Sequence, residues 1–213
     1  MPIHELRTYA LRPDRVVEYL RLTREVGYPI RSRHSPCRGY WTTEVGDLNQ
    51  AVHLWEYEDF AHRTRVRAAL AADRSWQDTF MPQIRPCLLH QQTAILVPSD
   101  VAPFSPATGL GIYELRWYKL LPGKVGEWLA KFRTGLEARA RYGNTPIGVW
   151  TAELGPLNTV YHLWGYADLQ ARADVRRKFA DDPVWTEVVR TANPLMLEMS
   201  TKILVPTDFS EMR

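Results

Sequence analysis

Three side chains in the first quarter of the sequence have the capacity for acid–base chemistry: His4, Arg7 and His53. A neutral imidazole can abstract a proton near neutral pH, and a guanidinium can stabilise the oxyanion that results. We therefore predict a catalytic set of His4, His53 and Arg7, with a histidine as the base and Arg7 at the oxyanion. The competing interpretation is that each histidine is held by a hydrogen bond at a boundary between sheet and helix and performs no reaction.

Charged and aromatic side chains accompany this set and would form the walls of a ligand site. Glu5, Arg7 and Tyr9 share one face of a predicted strand, because side chains alternate along a strand. We expect this face to look into a space between two sheets, with Leu6 pointing the other way, towards helices. There Arg7 would anchor an anionic ligand with the carboxylate of Glu5 as a base, or Glu5 and Arg7 would form an ion pair that fixes the packing. The predicted ligand-binding residues are Glu5, Tyr9, Trp55, Tyr57, His34, Arg33, His162 and Arg116.

The segment from Arg31 to Arg38 contains three arginines and His34. Near the mouth of a pocket it would hold a carboxylate or a phosphate. As a solvated loop it would bind nothing, so both interpretations stay open. Cys37 and Cys87 form no CxxC motif and have no ligand cluster near them, so we predict neither a disulfide nor a metal site.

The sequence is written twice, which indicates how these side chains are positioned. The segment His53–Trp55 recurs 109 positions later as His162–Trp164, and Glu5–Arg7 recurs as Glu114–Arg116. The period is far longer than that of solenoid repeats, so each copy is a small domain. His4 occurs in the first copy alone, which makes the first copy the better candidate for a functional site.

Hydrophobic periodicity and turn signals predict the element order βαββααβ in each copy. A hairpin turn joins the second and third strands, at Gly46–Asn49 and again at Gly155–Asn158. Asp182 is a predicted N-cap, with Pro183 in the first turn of the helix that follows. This order is typical of a ferredoxin-like α+β unit. We predict two tandem ferredoxin-like units that pack their sheets face to face, as an intrachain dimeric α+β barrel.

The repeat also predicts the domain boundaries. The first domain covers residues 1–98 and the second covers residues 111–213. Residues 99–110 between them are rich in Pro and small polar residues, and we predict that they form a linker.

Composition and absent motifs exclude several classes of function. The 213 residues carry 27 Lys and Arg against 24 Asp and Glu, a net charge of +3 that is too small for a nucleic-acid-binding protein. No apolar run is long enough to span a membrane, so we expect no membrane partner. The sequence contains no nucleotide-binding, zinc-protease or hydrolase motif. The start of the sequence shows no secretory signal, and we predict a cytoplasmic protein.

Five short motifs occur in the same order in both copies and resemble the NIPSNAP family. They are Glu-Leu-Arg-x-Tyr, Trp-Thr-x-Glu, His-Leu-Trp-x-Tyr, Asp-x-x-Trp and a final Ile-Leu-Val-Pro. The resemblance implies the dimeric α+β barrel fold, shared with cofactor-free monooxygenases, haem-degrading enzymes and stress-response barrel proteins, and it implies no settled reaction. Animal members are mitochondrial; without a transit peptide, this sequence looks like a bacterial tandem member.

These observations give three hypotheses for function. The first is a protein that binds a small apolar or aromatic metabolite without a cofactor, either as a binder or as a monooxygenase- or isomerase-like enzyme. The second is a non-catalytic interaction or scaffold protein with a fully packed barrel. The third is a haem-binding protein with His53 as the iron ligand. A homodimer of the tandem chain is the assembly that we expect.

Overall fold

The computed structural model describes residues 2–213, and their eight strands form one closed antiparallel barrel in the order β1-β3-β2-β8-β5-β7-β6-β4. The strands are β1 (Ile3–Leu11), β2 (Cys37–Val45), β3 (Gln50–Tyr57), β4 (Leu88–Pro98), β5 (Ile112–Leu120), β6 (Gly148–Leu154), β7 (Thr159–Tyr166) and β8 (Met196–Pro206). The α-helices are α1 (Val16–Leu22), α2 (Tyr28–Arg31), α3 (Phe60–Ala72), α4 (Met81–Ile84), α5 (Val125–Ala140), α6 (Leu169–Phe179) and α7 (Pro183–Ala192). Each copy therefore has the predicted element order, and the tandem ferredoxin-like fold is confirmed.

The two copies close the barrel by pairing their outer strands with each other. Strand β2 of the first copy pairs with β8 of the second, and β4 of the first pairs with β6 of the second. Because every strand has a neighbour on both sides, the barrel has no open edge.

Local sequence signals account for the turns and helix starts that hold the strands in register. Both hairpin turns use left-handed backbone at the same two places: φ is +116° at Gly46 and +55° at Asn49, and +117° at Gly155 and +54° at Asn158. Glycine and asparagine are the residues that adopt this conformation at least cost. The side chain of Asp182 accepts hydrogen bonds from the first turn of α7, as the sequence predicts.

The inner face of the barrel is an apolar core built by both copies. Leu6, Leu54, Leu115 and Leu163 meet there, together with Trp41 and other bulky side chains. The space enclosed among the leucines and tryptophans is about 10 Å³, too small for a ligand. A separate pocket of about 330 Å³ is lined in part by the same cluster, through Leu6, Ala94, Leu115 and Tyr161. The expectation that Glu5, Arg7 and Tyr9 face the space between the sheets is wrong, because Leu6, which alternates with them, is the residue that packs there.

These three side chains lie on the outer face of the sheet, against the helices, while Leu6 points inwards. Alternation groups the side chains correctly, but it does not tell which face the helices cover. In this fold both faces of the sheet are buried, so both carry large apolar residues.

The helical layer of the first copy contains two π-helical segments, Thr23–Gly27 between α1 and α2, and Ser75–Phe80 before α4. Wide turns of this kind occur frequently at functional sites. The corresponding helix of the second copy, α5, runs without a break. None of the helices between residues 2 and 213 is long and apolar enough to cross a bilayer.

Candidate functional site

A cavity of about 270 Å³ lies between the sheet and the helices of the first copy, and we call it the helix–sheet cavity. Outward-facing side chains of three strands form its floor: Arg7, Tyr9, Tyr40, His53 and Trp55. The guanidinium of Arg31 reaches the same floor, where it stacks on Trp55. The walls combine apolar and aromatic side chains with polar ones, among them Tyr19, Thr23, Gly27, Tyr28, Arg67, Leu70, Trp76, Gln77, Phe80, Ile84, Arg85 and Gln91.

His53 is buried at the floor of this cavity with its protonation pattern fixed by a neighbour. The indole N–H of Trp55 donates a hydrogen bond of 2.5 Å to Nδ1 of His53. An imidazole nitrogen that accepts a hydrogen bond carries no proton, so the neutral ring carries its proton on Nε2. Burial, followed by the charges of Arg7 and Arg31, lowers the pKa of His53 well below its ordinary value. His53 is therefore a neutral hydrogen-bond donor.

This result changes the role predicted for His53. A general base needs a free lone pair, and the lone pair of this ring is on Nδ1, where it already accepts from Trp55. The Nε2 atom has no partner among residues 2–213. It can donate to an electronegative atom, but it cannot take a proton while the bond to Trp55 is in place.

Two aromatic hydroxyls extend the polar floor beside His53. The ring of Tyr40 stacks on that of His53 with centroids 4.7 Å apart, and the hydroxyls of Tyr40 and Tyr19 are 2.6 Å apart. Burial raises the pKa of both tyrosines, so both stay protonated. Two hydroxyls that share one hydrogen bond leave one O–H free to donate elsewhere.

Arg7 and Arg31 bring positive charge to the same floor. The guanidinium of Arg7 lies 5.2 Å from the ring centroid of Tyr9, and that of Arg31 lies 4.1 Å from the ring of Trp55. Arg31 also donates a hydrogen bond of 2.8 Å to the hydroxyl of Tyr57. The Nε atoms of both arginines are buried and have no partner within the described chain.

Glu5 lies next to the arginines and is fully committed to structural contacts. Its carboxylate accepts hydrogen bonds from Arg63 at 2.9 Å, Thr93 at 3.0 Å and Tyr57 at 3.0 Å. Burial acts to raise the pKa of Glu5, but the hydrogen bond from Arg63 and the neighbouring arginine charges outweigh it and lower the pKa to about 2. Glu5 is therefore an ionised group that holds its neighbours in place.

The second copy keeps this ion-pair cluster. Glu114 accepts from Arg116 at 2.7 Å, from Arg172 at 2.7 Å and from Thr201 at 3.2 Å. A cluster that is present in both copies favours the structural interpretation of Glu5, and it gives Arg116 the same role.

The second copy fills the space that the first copy leaves open. Tyr19, Thr23 and Tyr40 correspond in the repeat to Trp128, Phe132 and Val149. The ring of Phe132 lies 5.2 Å from that of His162 and 4.5 Å from that of Trp128. His162 repeats the bond of 2.5 Å from its own neighbour Trp164, and its Nε2 also lacks a polar partner within residues 2–213, but it faces aromatic rings.

The π-helical turn explains why the arginine of the cavity is hard to find from the repeat. Before the turn, equivalent residues of the two copies are 109 positions apart. Arg31, which stacks on Trp55, and Arg139, which stacks on Trp164, are equivalent but only 108 positions apart. The extra residue in the wide turn shifts the register of the helix by one. Arg139 is then held by Asn144, which accepts from its Nε at 2.9 Å, whereas the Nε of Arg31 has no such partner in the described chain.

The structure brings together part of the predicted site. Arg7, Tyr9, His53 and Trp55 line the helix–sheet cavity, and Tyr57 and Glu5 support Arg31 and Arg7 from behind. The residues that the sequence analysis missed are Tyr19, Thr23, Gly27 and Tyr40, together with the burial of Arg31. The repeat contains a signal for three of these residues, because the size or polarity of the side chain differs between the copies. Tyr19 corresponds to Trp128, Thr23 to Phe132 and Tyr40 to Val149.

Three predicted residues of the first copy lie elsewhere. His4 is on the inner face of the barrel, where its Nδ1 accepts from the indole N–H of Trp150 at 3.2 Å and its Nε2 lies 3.2 Å from Glu56. His4 could approach His53 only if both shared one face of the sheet, and the two side chains point to opposite faces. Arg33 is exposed and His34 is half-buried, and neither lines the helix–sheet cavity.

Comparisons with known proteins agree on the family of this chain. The family model described as NIPSNAP matches residues 4–106 and again residues 113–211. Human NipSnap homolog 3A is 34% identical over 99% of this chain and 85% of its own length. The NipSnap homolog of Dictyostelium discoideum is 30% identical over 96% of this chain and 87% of its own length.

Solved structures share the fold at lower identity. A candidate monooxygenase from Lactobacillus acidophilus has a TM-score of 0.67 at 13% identity, over 96% of this chain and 93% of its own. A candidate monooxygenase from Fusobacterium nucleatum has a TM-score of 0.68 at 12% identity, over 100% of this chain and 98% of its own. At such low identity the likeness concerns the barrel fold alone.

Proposed function

The chain belongs to the NIPSNAP family, and we propose that its first copy binds a small aromatic metabolite in the helix–sheet cavity. The observation that carries the proposal is the contrast between the copies. Beside His53 there is an open space with hydroxyl, imidazole and guanidinium donors at its floor, whereas beside His162 the rings of Phe132 and Trp128 occupy it. An apolar pocket with a few convergent polar groups is the usual form of a small-molecule site.

The geometry favours binding over proton abstraction. No carboxylate lines the cavity within residues 2–213, and the lone pair of His53 is taken up by Trp55. A monooxygenase- or isomerase-like reaction in this site would have to rely on stabilising a negatively charged oxygen, which the donors at the floor can do. The neighbours described as candidate monooxygenases share only the fold, so the reaction class stays a proposal.

Haem is a poorer fit to these residues. Iron coordination would need the lone pair of Nε2, and the bond from Trp55 keeps the proton on that atom. The haem hypothesis is tested by titrating the protein with haemin and looking for a Soret band that His53→Ala removes.

The proposed function is tested by filling the cavity. Thr23→Phe copies Phe132 of the second half into the first, and Thr23→Val is the control because it replaces the hydroxyl by a methyl group of similar size. We expect aromatic compounds from a metabolite panel to raise the melting temperature of the wild type and of Thr23→Val, and to leave that of Thr23→Phe unchanged. A panel without any binder would contradict the proposal and favour the scaffold hypothesis. Equal binding to Thr23→Phe would contradict the proposal by placing the binding site outside this cavity.

Three further predictions concern the protein as a whole. We propose a bacterial source, a cytoplasmic location and a homodimer of the tandem chain. Light scattering on the purified protein measures the mass of the assembly, and a mass of one chain would refute the homodimer.

A further inference from the structure

We infer that the ligand of the helix–sheet cavity is an aromatic monoanion, whose charged oxygen is held by Arg7, Arg31 and His53 while its ring lies against the helices. This inference rests on the proposed function, because it names the chemical class of the molecule that the cavity binds.

The hydroxyl of Thr23 in the wall and three nitrogen atoms at the floor of the cavity have no hydrogen-bond partner within the described residues. The three atoms at the floor are donors. They are Nε of Arg7, Nε of Arg31 and Nε2 of His53, and each is buried with no hydrogen-bond partner within residues 2–213. A buried donor without a partner costs free energy, so a ligand that supplies an acceptor stabilises the site. The hydroxyl pair of Tyr19 and Tyr40 adds one more O–H that is free to donate. A ligand that satisfies this set must therefore present acceptor oxygens.

The charge around the floor is positive. Three guanidinium groups share the one carboxylate of Glu5: Arg63 at 2.9 Å, Arg7 at 3.5 Å and Arg31 at 4.0 Å. Arg67 also lines the cavity, and it forms no ion pair within the described chain. A carboxylate or another oxyanion placed here gains from charge as well as from hydrogen bonding.

The second copy shows what happens when the same cluster has no ligand to hold. There Asn144 accepts from Nε of Arg139, and the aromatic rings of Trp164 and Phe179 cover its guanidinium at 3.7 Å and 4.4 Å. Arg139 is thus satisfied by the chain itself. Arg31, its counterpart, lacks an equivalent of Asn144, and an acceptor in the cavity would take that place.

The walls of the cavity indicate the shape and polarity of the uncharged part of the ligand. Aromatic and aliphatic side chains form much of the wall opposite the floor, with Trp76, Phe80, Leu70 and Ile84 among them, and the polar side chains of Gln77, Arg85 and Gln91 also line the cavity. Rings of this kind pack well against a planar aromatic body. The nitrogen donors without partners are gathered at the floor, so one charged group on such a body would meet all of them.

Two kinds of oxyanion share this chemistry, a carboxylate and a phenolate or enolate. The experiment therefore uses matched pairs of an anion and a neutral compound of similar shape. The carboxylates are benzoate, cinnamate, naphthoate and indole acetate, each compared with its primary amide. The phenolate is pentafluorophenolate, compared with pentafluoroanisole. Dissociation constants are measured by isothermal titration calorimetry on the full-length protein.

We expect the anion of at least one pair to bind about tenfold or more tightly than its neutral partner, because a charged acceptor strengthens hydrogen bonds from guanidinium groups. The arm that binds identifies the source, carboxylate or phenolate. If neutral compounds bind as tightly as their anions, the inference is wrong and the proposed function stands. If neither member of any pair binds, both are wrong.

Variants of the two matched arginines locate the charged group. Arg31→Met is expected to remove the preference for the anion, and Arg139→Met, its counterpart in the second copy, to leave the preference unchanged. Melting temperature and circular dichroism establish that each variant folds. Should Arg31→Met fail to fold, Arg31→Lys and the comparison of ligands on the wild type still decide the inference. An anion preference that survives in both Arg31→Met and Arg7→Met would overturn the assignment of these arginines.

Discussion

The indole N–H of Trp55 donates to Nδ1 of His53, and 109 positions later the indole of Trp164 donates to Nδ1 of His162 with the same length of 2.5 Å. The His-x-Trp motif is thus a device that fixes which ring nitrogen carries the proton. Because this hydrogen bond is present in both copies, it is a property of the shared fold. In the first copy the Nε2–H group of the histidine lies at an open cavity, whereas in the second copy it faces aromatic rings.

This device can be tested by Trp55→Phe. The variant leaves Nδ1 of His53 without its donor, so we expect a mixture of tautomers and a stability loss of about 1–3 kcal/mol. Long-range proton–nitrogen correlation spectra report the tautomer, and urea unfolding reports the stability. Trp164→Phe is the matched control: it should change the spectrum of His162 and leave that of His53 as it is. A wild-type spectrum with the proton on Nδ1 of His53 would contradict the assignment.

The buried His4 predicts a loss of stability in mild acid. Burial lowers the pKa of His4 from 6.5 to about 4, with the hydrogen-bonded Glu56 offsetting part of the shift. The unfolded chain takes up a proton near 6.5 and the folded chain only near 4. The stabilisation is therefore complete above pH 6.5 and is lost as pH falls from 6.5 to about 4. The loss is on the order of 3 kcal/mol.

Urea unfolding across this pH range provides the measurement. His4→Gln should reduce the dependence between pH 6.5 and 4 by the share of one histidine, because the buried His53 and His162, whose pKa values are also lowered, still contribute. Substitution of the exposed His90 should not reduce it. A titration midpoint of His4 near 6.5 in the folded protein would refute the prediction.

The lowered pKa of Glu5 predicts a second loss of folding stability, at lower pH than that from His4. Its pKa falls from 4.5 to about 2 in the fold, so its stabilisation is present above pH 4.5 and is lost as pH falls towards 2. We expect Glu5→Gln to destabilise the protein at neutral pH by about 3 kcal/mol or more, because its arginine partners lose their counter-charge. The difference from the wild type should shrink in acid. Glu153→Gln, at an exposed position, should show neither effect; a pH-independent difference for Glu5→Gln would argue against this account.

The two π-helical segments approach each other closely where Gly27 meets Phe80, and a pair of glycine substitutions tests this contact. A Cβ at Gly27 would lie 2.3 Å from the ring of Phe80, whereas a Cβ at Gly126 in α5 would meet nothing within 4 Å. Gly27→Ala should cost about 1–3 kcal/mol through overpacking. Gly126→Ala should stabilise by up to about 1 kcal/mol through helix propensity. Urea unfolding of both variants gives the signs, and a stabilised Gly27→Ala would show that Phe80 yields easily.

Much of the fold is readable in the sequence because its signals are local. The turns at Gly46–Asn49 and Gly155–Asn158 need left-handed backbone. Glycine and asparagine at these positions predict that conformation. The N-cap at Asp182 is equally local. The repeat then supplies the long-range information, since two copies of one unit with an apolar second face must cover each other.

The site was harder to predict because it depends on orientation and on volume. Alternation places Glu5 and Arg7 together, but their face of the sheet could be assigned only once the helices were in place. Arg7 pairs with His53 across β1 and β3, so these two side chains share one face of the sheet. Because side chains alternate along a strand, His4 lies on the opposite face. The cavity is open because Thr23 has a small side chain where the second copy has Phe132. Thr23 belongs to no sequence motif.

The pairing of β2 with β8 and of β4 with β6 means that each copy serves as the other's dimer partner within one covalent chain. In a symmetric homodimer any substitution appears twice, so filling one pocket would fill both. Fusion removes that constraint: Phe132 can close the second copy while Thr23 leaves the first open. The duplicated chain can thus assign recognition to one half and let the other half act as its permanent scaffold.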